Sequence, residues 1–531
     1  FIGGCAGYLG SLIINEGAGK YITRPFTAAT AHKGSEDLGA LFFDCDGDND
    51  LDLVVASGSV EHPPANPSYA DRLYLNNGRG SFVAAKSGTI PIGLDSSGAL
   101  AAADFDRDGD LDLFIGGRSV PGAYPTASRS RILLNSGGKF TDITTRFPAL
   151  LEKRIVTGAI WSDADGDGWI DLLLSTEWGP IRFLRNDKGT LVDATKTAGL
   201  SSLLGWWTGI NGADIDHDGD IDILATNFGL NTKYKATAET PEILFYGDFE
   251  NSGRKRIVEA GFEHGACYPH RGFSCSRNAM PFVGTKLKTF HNFALATLPE
   301  IYPGTSLGKS LRVETNTLSS GIFRNDGKGS FTFEPLPGIA QVSPSFGSAF
   351  LDATGNGHPD IFLAQNFFGP QIETRPMNNG LGLILEGDGT GNFTEVSPRT
   401  SGVIIPEDAK SVVASDLNGD GCLDLLVGIN DGPVRSLVRT GGPLPYRVSL
   451  EGPAGNLRGI GARISIRLSD DSLRTGEIRA GAGYLSQAPP SFTFSAPDGT
   501  TPATLTVRWP DGAVTTSRLP TGEREFLIRK P

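Results

Sequence analysis

The sequence predicts an all-β fold of many short strands, and three observations carry this prediction. Glycine and proline occur 70 and 33 times in the 531 residues, against 2 methionines, which favours many turns and few long helices. Short apolar segments alternate with turns rich in Asp, Asn and Gly. An Asp-rich segment of about ten residues also recurs along most of the chain, which indicates a repeat architecture.

The composition disfavours several classes of partner. The net charge is −13 and the pI is about 5.1, so attraction to nucleic acid or to an anionic membrane surface is weak, and cations are the natural counterpart. There is no run of about 18 apolar residues, so we expect no transmembrane segment. Five cysteines are too few for a disulfide scaffold. A disulfide between Cys267 and Cys275, typical of an oxidising compartment, and two free thiols are both open alternatives.

The Asp-rich segment has six clear copies, which we number as loops one to six. Successive copies begin 60, 59, 51, 138 and 64 residues apart, and a decayed copy, DFENSGRKRI from Asp248, lies in the long interval. A period near 60 residues with several strands per unit is typical of a β-propeller blade. The six copies are DCDGDNDLDL from Asp44, DFDRDGDLDL from Asp104, DADGDGWIDL from Asp163, DIDHDGDIDI from Asp214, DATGNGHPDI from Asp352 and DLNGDGCLDL from Asp416.

Each repeat has a second half that reads as strand, Asn/Gly turn, strand. LIINEGAGKY from Leu12 is one such copy, and FIGG at residues 1–4 recurs at 114–117 after loop two, so we expect the chain to begin inside a blade, just after a missing loop. This blade and the six with loops predict a seven-bladed β-propeller, with six or eight blades as open alternatives. The other copies are LYLNNGRGSF from Leu73, LLNSGGKF from Leu133, IFRNDGKGSF from Ile322 and LILEGDGTGNF from Leu383.

The spacing of oxygen-bearing residues in each loop predicts a Ca²⁺ site. Side-chain oxygens at positions one, three, five and nine, with the backbone carbonyl of position seven, can surround a cation that takes six to eight oxygens. Position six is glycine in five loops and Asn49 in loop one, which suits a tight turn. About six Ca²⁺ ions would bring the net charge of −13 close to zero. Solvated turns are the alternative reading of any single Asp/Gly segment, but six copies in register favour metal.

The predicted ligands follow from these positions. Loops five and six carry fewer carboxylates, and we expect loop five to bind most weakly. In the decayed copy, Ser252 and Arg256 replace ligands, so we expect no metal there. The ligands are Asp44, Asp46, Asp48, Asp50 and Asp52; Asp104, Asp106, Asp108, Asp110 and Asp112; Asp163, Asp165, Asp167, Trp169 and Asp171; Asp214, Asp216, Asp218, Asp220 and Asp222; Asp352, Thr354, Asn356, His358 and Asp360; and Asp416, Asn418, Asp420, Cys422 and Asp424.

These loops resemble the FG-GAP/VCBS repeats of integrin-type propellers. The tail, with NLRGIGARISI, GEIRAGAGYLSQ and LTVRWPDGAV, is similar to the ASPIC/UnbV domain that follows such propellers in bacterial relatives of cartilage acidic protein. The segment WWTGINGADIDHDGDIDILATNFGLNTKYKA is also similar to bacterial members. The resemblance implies a secreted or cell-surface, calcium-stabilised protein of bacterial type that serves adhesion or interaction, and it implies no known reaction.

We predict a propeller over residues 1–445, interrupted by a non-blade insertion at about 261–320, and a β-domain over 446–531. In the β-domain, strands are predicted at 462–468, 473–479, 491–495 and 504–509. Tyr484, Gln487 and Trp509 are either a ligand surface or, as we favour, packing anchors. In the insertion, KLKTFHNFALATLPEIY has helix-like apolar spacing. The spacing of His264, His270 and His291 fits no standard zinc pattern, which favours solvent-exposed or packing roles.

Two functions from different classes are compatible with the sequence. The first is a noncatalytic interaction, adhesion or structural protein that presents loops to a protein or glycan partner or assembles as a homo-oligomer or filament. The second is an extracellular calcium-dependent polysaccharide-degrading enzyme such as a lyase, for which Tyr268, His270 and Arg271 are the local candidates. The sequence contains no nucleophile elbow, phosphate loop or zinc motif, so we favour the first and predict no catalytic residue.

Overall fold

The computed structural model describes residues 1–17, 19–370, 374–497 and 499–531, and strands dominate them. The predicted all-β class is confirmed. Apart from one parallel strand pair in the C-terminal domain, the strands pair antiparallel throughout the described residues. The helices are α1 (Pro148–Leu151), α2 (Phe273–Ala279), α3 (Pro281–Leu287), α4 (Phe290–Leu295), α5 (Leu298–Ile301), α6 (Gly304–Lys309) and α7 (Pro398–Ser401). Short 3-10 helices occupy Thr27–His32, Pro67–Tyr69, Thr144–Arg146 and Gly338–Gln341.

The N-terminal part contains a hairpin and three repeat sheets whose strands pair in chain order. The hairpin is β1 (Ser11–Gly17) and β2 (Lys20–Pro25). The sheets are β3 (Asp37–Phe43), β4 (Asp52–Ser57), β5 (Arg72–Asn76) and β6 (Phe82–Ala84); β7 (Ser97–Ala103), β8 (Asp112–Gly117), β9 (Arg131–Ser136) and β10 (Lys139–Asp142); and β11 (Ile155–Ser162), β12 (Asp171–Gly179), β13 (Arg182–Asn186) and β14 (Leu191–Asp193), with β15 (Gly205–Trp206) paired to β12.

The fourth repeat sheet is interrupted by a second sheet. Its strands are β16 (Gly209–Ala213) and β17 (Asp222–Thr226), followed after the interruption by β22 and β23. The interruption holds β18 (Glu242–Gly247), β19 (Arg256–Glu263), β20 (Ala266–Pro269) and β21 (Leu311–Thr315), paired in the order β20-β19-β18-β21, and then the chain resumes with β22 (Gly321–Asn325) and β23 (Phe331–Pro335). The predicted helical spacing is confirmed, as the short helices α3 to α5.

Two further repeat sheets and the C-terminal domain complete the chain. The sheets are β24 (Ser345–Leu351), β25 (Asp360–Gln365), β26 (Leu383–Gly387) and β27 (Phe393–Val396), then β28 (Ala409–Ser415), β29 (Asp424–Ile429) and β30 (Arg435–Leu437). The C-terminal domain contains β31 (Tyr446–Glu451), β32 (Arg463–Leu468), β33 (Leu473–Glu477), β34 (Phe492–Phe494), β35 (Pro502–Arg508), β36 (Val514–Arg518) and β37 (Glu525–Arg529). The four strands predicted here are confirmed to within two residues, and β31, β36 and β37 were not predicted.

The first strands of the repeat sheets pack side by side. β3, β7, β11, β16, β24 and β28 follow one another in space in chain order. Each second strand is apolar and buried, as in β4, β8 and β25, because both of its faces lie against protein. Every one of loops one to six joins the first strand of a sheet to the second, so the loops emerge at the same end of all six sheets.

The C-terminal domain shares a core with two repeat sheets and extends a segment along the first strands. Ile464, Val507 and Trp509 belong to the same buried cluster as Phe43 and Leu113. Residues 478–488, which we call the docking segment, contact five neighbouring sheets. Its contacts are Gln487 with Phe42 in β3, Ala480 with Ala102 in β7, Gly483 with Gly158 in β11 and Ile210 in β16, and Tyr484 with Phe346 in β24.

Candidate metal centres

In every loop except loop four, backbone amides of the turn donate to the carboxylate at the first position. In loop two, the Gly109 amide donates to Asp104 (3.2 Å), and in loop one the amides of Gly47 and Asn49 donate to Asp44 (2.8 and 3.0 Å). These turns need positive φ, which Asn49 adopts at 72° in the place where the other loops have glycine. The fold of the loop therefore turns the later side chains back towards position one.

The structure brings the predicted carboxylates together in four loops. In each of them three carboxylates have oxygens within 4.8 Å of one another. Among the described residues, loops five and six form no such group, because Thr354, Asn356 and Asn418 take the places of carboxylates. The groups are Asp44, Asp46 and Asp48; Asp104, Asp106 and Asp108; Asp163, Asp165 and Asp171; and Asp214, Asp216 and Asp218.

Positions five and seven repeat one hydrogen bond in all six loops. The amide of position seven donates to the position-five side chain at 2.7–3.0 Å. This bond fixes the position-five side chain and does not involve the position-seven carbonyl. The position-seven residues are Asp50, Asp110, Trp169, Asp220, His358 and Cys422, and their position-five partners are Asp48, Asp108, Asp167, Asp218, Asn356 and Asp420.

Position nine is buried in every loop, since it begins the apolar second strand. Its carboxylate accepts a backbone amide from a residue at or near the end of the third strand, as Asp112 does from Asn135 (2.8 Å). The same contact holds Asp52, Asp171, Asp222, Asp360 and Asp424. With less than 4% of each residue exposed, these carboxylates are removed from water and held by neutral donors.

An asparagine on the third strand, which has no predicted role as a ligand, supports position nine. The side-chain amide of Asn135 donates to the carbonyl of Leu111 (3.2 Å) in its own loop and of Cys45 (2.8 Å) in the preceding loop. Asn186 and Asn325 make the equivalent pairs of bonds. Its recurrence in LYLNNG, LLNSGG and FRNDG was read only as a turn signal. These asparagines link consecutive loops, and loops five and six have Gly387 and Arg439 in this place.

Buried carboxylate oxygens in loops two and four have no hydrogen-bond partner. They are Oδ1 of Asp104, Oδ2 of Asp112, both oxygens of Asp214 and Oδ2 of Asp222. Burial, reinforced by neighbouring aspartates, raises the pKa of Asp104, Asp214 and Asp222 to about 7 and that of Asp112 to about 9. Buried polar atoms are normally paired, so these oxygens fit a cation bound between them.

The decayed loop satisfies its first carboxylate without a cation. The amides of Glu250, Ser252 and Gly253 donate to Asp248 at 2.6–3.1 Å. Although burial opposes it, these amides lower the pKa of Asp248. Arg256 turns away from the loop, towards the Ala279 carbonyl (3.4 Å). The local chemistry is that of a closed Asx turn.

The C-terminal domain lies over the loops and contacts four of them through arginines. Arg508 pairs with Asp163 in loop three, and Arg463 lies 3.5 Å from Asp220 in loop four. Arg474 donates to the Gly357 carbonyl (3.3 Å) in loop five, and Arg447 pairs with Asp416 (3.1 Å) in loop six. Loops three to six therefore form part of the interface with the C-terminal domain.

The remaining candidate residues have packing roles or separate positions. Trp509 is 1% exposed and donates to Thr515 (2.9 Å), while Gln487 makes two bonds to the Phe42 backbone, so the anchor interpretation is confirmed for both. Tyr484 packs edge-on against Phe346 with ring centroids 5.3 Å apart. His264 and His291 are exposed, and His270 pairs with Glu242. Cys267 and Cys275 are both free thiols.

Two family models match the sequence. The model of the FG-GAP-like repeat matches residues 44–115 and 163–225, which include loops one to four without the decayed copy. The model described as ASPIC and UnbV matches residues 452–531. No curated protein matches the chain. No helix in the described residues is long and apolar enough to cross a membrane.

Several solved structures have a distant likeness to the chain. BBS1N in complex with ARL6DN is 10% identical, with 92% of this chain and 94% of that chain covered and a TM-score of 0.31. The exotype rhamnogalacturonan lyase YesX is 13% identical (77% and 72% covered, TM-score 0.26). The V. cholerae biofilm matrix protein Bap1 is 11% identical (94% and 97% covered, TM-score 0.25). At such scores none of them indicates what this chain does.

Proposed function

Since this chain is an FG-GAP-repeat protein with a C-terminal ASPIC and UnbV domain, we propose that it is a secreted or cell-surface, calcium-binding β-propeller that serves as a noncatalytic interaction protein. The observation that carries the proposal is the set of buried, unpartnered carboxylate oxygens in the repeated loops. Ca²⁺ takes carboxylate and carbonyl oxygens in this arrangement, and burial of several carboxylates without a cation is costly.

A seven-bladed ring is the architecture that best accounts for the sheets. Six repeat sheets place their first strands side by side. The N-terminal hairpin, in which Ile2 forms a β-bridge with Ser11, is the outer half of a seventh blade. A docking segment of eleven residues contacts five of the first strands, as expected if these strands surround one axis. The side chain of Tyr21 in the hairpin donates to the carbonyl of Leu417 in loop six, which joins the seventh blade to the sixth loop-bearing sheet.

The partner is expected to be a protein or glycan outside the cell, or further copies of the chain. A rigid ring with its loop face covered by the C-terminal domain leaves the opposite face and the outer strand edges for contacts. The acidic chain disfavours nucleic acid as the partner.

Calcium content and assembly state test this proposal together. Equilibrium dialysis of the purified chain should give about six Ca²⁺ per chain, and light scattering should be compared with and without chelator over a wide concentration range. Calcium-dependent assembly, or calcium-dependent retention on a glycan or matrix-protein panel, would support the interaction function. A chain that binds no Ca²⁺ would contradict the proposal.

A calcium-dependent polysaccharide lyase is the second candidate, and one observation favours it. His270 pairs with Glu242 and lines a cavity of about 580 Å³ together with Lys233 and Arg271. A carboxylate-oriented imidazole is a suitable base, and the cations suit an anionic sugar. Turnover of anionic polysaccharides that is lost in His270→Ala, and kept in the matched variant His264→Ala at an exposed site, would establish this function and displace the first.

A further inference from the structure

Loop three differs from loops two and four in how its first carboxylate is satisfied. In loop four both oxygens of Asp214 lack a partner, and in loop two Oδ1 of Asp104 does. In loop three the Asp163 carboxylate is 3% exposed, accepts the Gly168 amide (3.2 Å) at Oδ1 and pairs with Arg508 at Oδ2. A fixed guanidinium thus neutralises the carboxylate that opens this loop.

The C-terminal domain holds Arg508 in place. Arg508 is the last residue of β35, and the next residue, Trp509, is buried in the shared core. Arg508 is partly buried, since 28% of its side chain is exposed, and it lies close to Gly168 inside the loop. The position of the guanidinium is therefore set by a packed strand and not by a mobile side chain alone.

Two more arginines increase the positive charge around loop three. Arg463 donates to the Asp163 carbonyl (3.2 Å), and its guanidinium lies 3.9 Å from the Asp163 carboxylate. Arg107 donates to the Gly168 carbonyl (2.6 Å) and stacks on Trp169 at 3.7 Å. A divalent cation entering this loop meets like charge at short range, which lowers its affinity.

We infer that Arg508 is an internal competitor for metal in loop three, so that this loop binds Ca²⁺ more weakly than loop two, although both loops have aspartates at positions one, three, five and nine. Metal binding there requires Asp163 to exchange the guanidinium for the ion. The inference rests on the proposed calcium-binding function and adds that the C-terminal domain regulates one of the sites.

Tb³⁺, which replaces Ca²⁺ at oxygen sites, gives a readout specific to loop three. Trp169 lies at position seven of this loop, and an excited indole transfers energy to a Tb³⁺ ion held beside it. The part of the emission that is lost in Trp169→Phe is assigned to loop three. The remainder, together with the total Ca²⁺ bound per chain, reports the other loops.

Arg508→Gln is the test variant, measured by Tb³⁺ titration of the full chain. We expect half-saturation of the Trp169-dependent emission to shift to roughly tenfold lower Tb³⁺, the effect of losing one partly buried ion pair. Arg518→Gln, which removes an exposed charge from β36 of the same domain, is the matched control and should cause no shift. Arg508→Lys keeps the charge without the planar fork and should give a smaller shift, so it replaces Arg508→Gln if that variant fails to fold.

The outcomes separate the inference from the proposed function. Unchanged half-saturation in Arg508→Gln, with Tb³⁺ and Ca²⁺ bound normally at the other loops, would overturn the role of Arg508 alone. Absence of bound Tb³⁺ and Ca²⁺ from every variant would overturn the calcium function on which it rests. The wild-type chain could also bind metal only at the other loops. In that case, the appearance of Trp169-dependent emission in Arg508→Gln would support the inference.

Discussion

Loop two and the decayed loop at Asp248 begin with the same residue and have opposite chemistry. Asp104 is buried, keeps one oxygen without a partner and has its pKa raised to about 7 by burial and by Asp108 and Asp106. Asp248 is less buried, accepts three backbone amides and has a lowered pKa, because those amides outweigh burial. A loop that brings several carboxylates together leaves oxygens that a cation can satisfy, whereas a loop that has lost those carboxylates closes on its own backbone.

Among the tests of this comparison, chelation should produce the largest loss of stability. A site with Ca²⁺ at a hundredfold excess over Kd contributes about 2.7 kcal/mol of folding free energy. With several loops occupied, as proposed, chelator should lower the melting temperature by on the order of 10 °C, measured by differential scanning calorimetry. An unchanged melting curve together with the loss of a measurable activity would make the calcium catalytic and reverse the proposal.

Removal of one carboxylate should reproduce part of this loss of stability in loop two but not in the decayed loop. Asp108→Ala takes away an exposed carboxylate of loop two and should cost about 2–3 kcal/mol in calcium, most of one site. Its stability should differ little from wild type in chelator. The matched variant is Asp248→Ala, whose smaller effect should be the same in calcium and in chelator. Equal calcium dependence of the two variants would remove the distinction between the loops.

Asn135 provides an intermediate effect, because it links loops one and two without being a predicted ligand. Asn135→Ala removes side-chain bonds to the carbonyls of Cys45 and Leu111, for a cost of about 2 kcal/mol. The loss should appear in calcium and in chelator alike, and calcium affinity should fall at both loops. Denaturant unfolding and calcium titration measure the two effects, and a loss confined to calcium would contradict this supporting role.

Asp104→Asn should have the smallest effect on the free energy of unfolding. The sign of this effect should differ between chelator and calcium. In the metal-free chain the pKa of Asp104, about 7, lies above its ordinary value, so this group destabilises the fold as pH rises from about 4 to above 7. At pH 8 in chelator the substitution removes a cost of about 4 kcal/mol, which corresponds to about three pKa units. Burial of the unpaired Asn amide offsets up to about 3 kcal/mol of this gain, so the variant should be more stable than wild type by about 1 kcal/mol. In calcium it should be less stable by a similar amount. Destabilisation of equal size in both conditions would show that burial of this carboxylate is not offset by a cation.

Features that depend on local pattern are predictable from the sequence. The strand class, the hairpins and the convergence of carboxylates in loops one to four follow from alternating apolar residues and from the fixed spacing of Asp and Gly, which act within about ten residues. The four strands predicted in the C-terminal domain are confirmed for the same reason.

Features that depend on contacts between distant residues are not predictable in this way. Asn135 was read as a turn residue because its bond to Cys45 spans 90 residues. The pairing of Arg508 with Asp163 spans 345 residues and arises only when the C-terminal domain covers the loops. Gln487 was predicted as a packing anchor, but its partner, the Phe42 backbone in β3, lies 445 residues away in the chain. Spacing in one sequence carries no signal for such pairs.

A structure determined from crystals grown in calcium, with anomalous scattering used to locate the ions, tests the central claim most directly. The account predicts Ca²⁺ about 2.3–2.6 Å from the position-one, -three and -five oxygens of the loops opened by Asp44, Asp104, Asp163, Asp214, Asp352 and Asp416. It predicts no ion at Asp248. Water-filled loops with their aspartates turned outward, in a buffer that contains calcium, would contradict it.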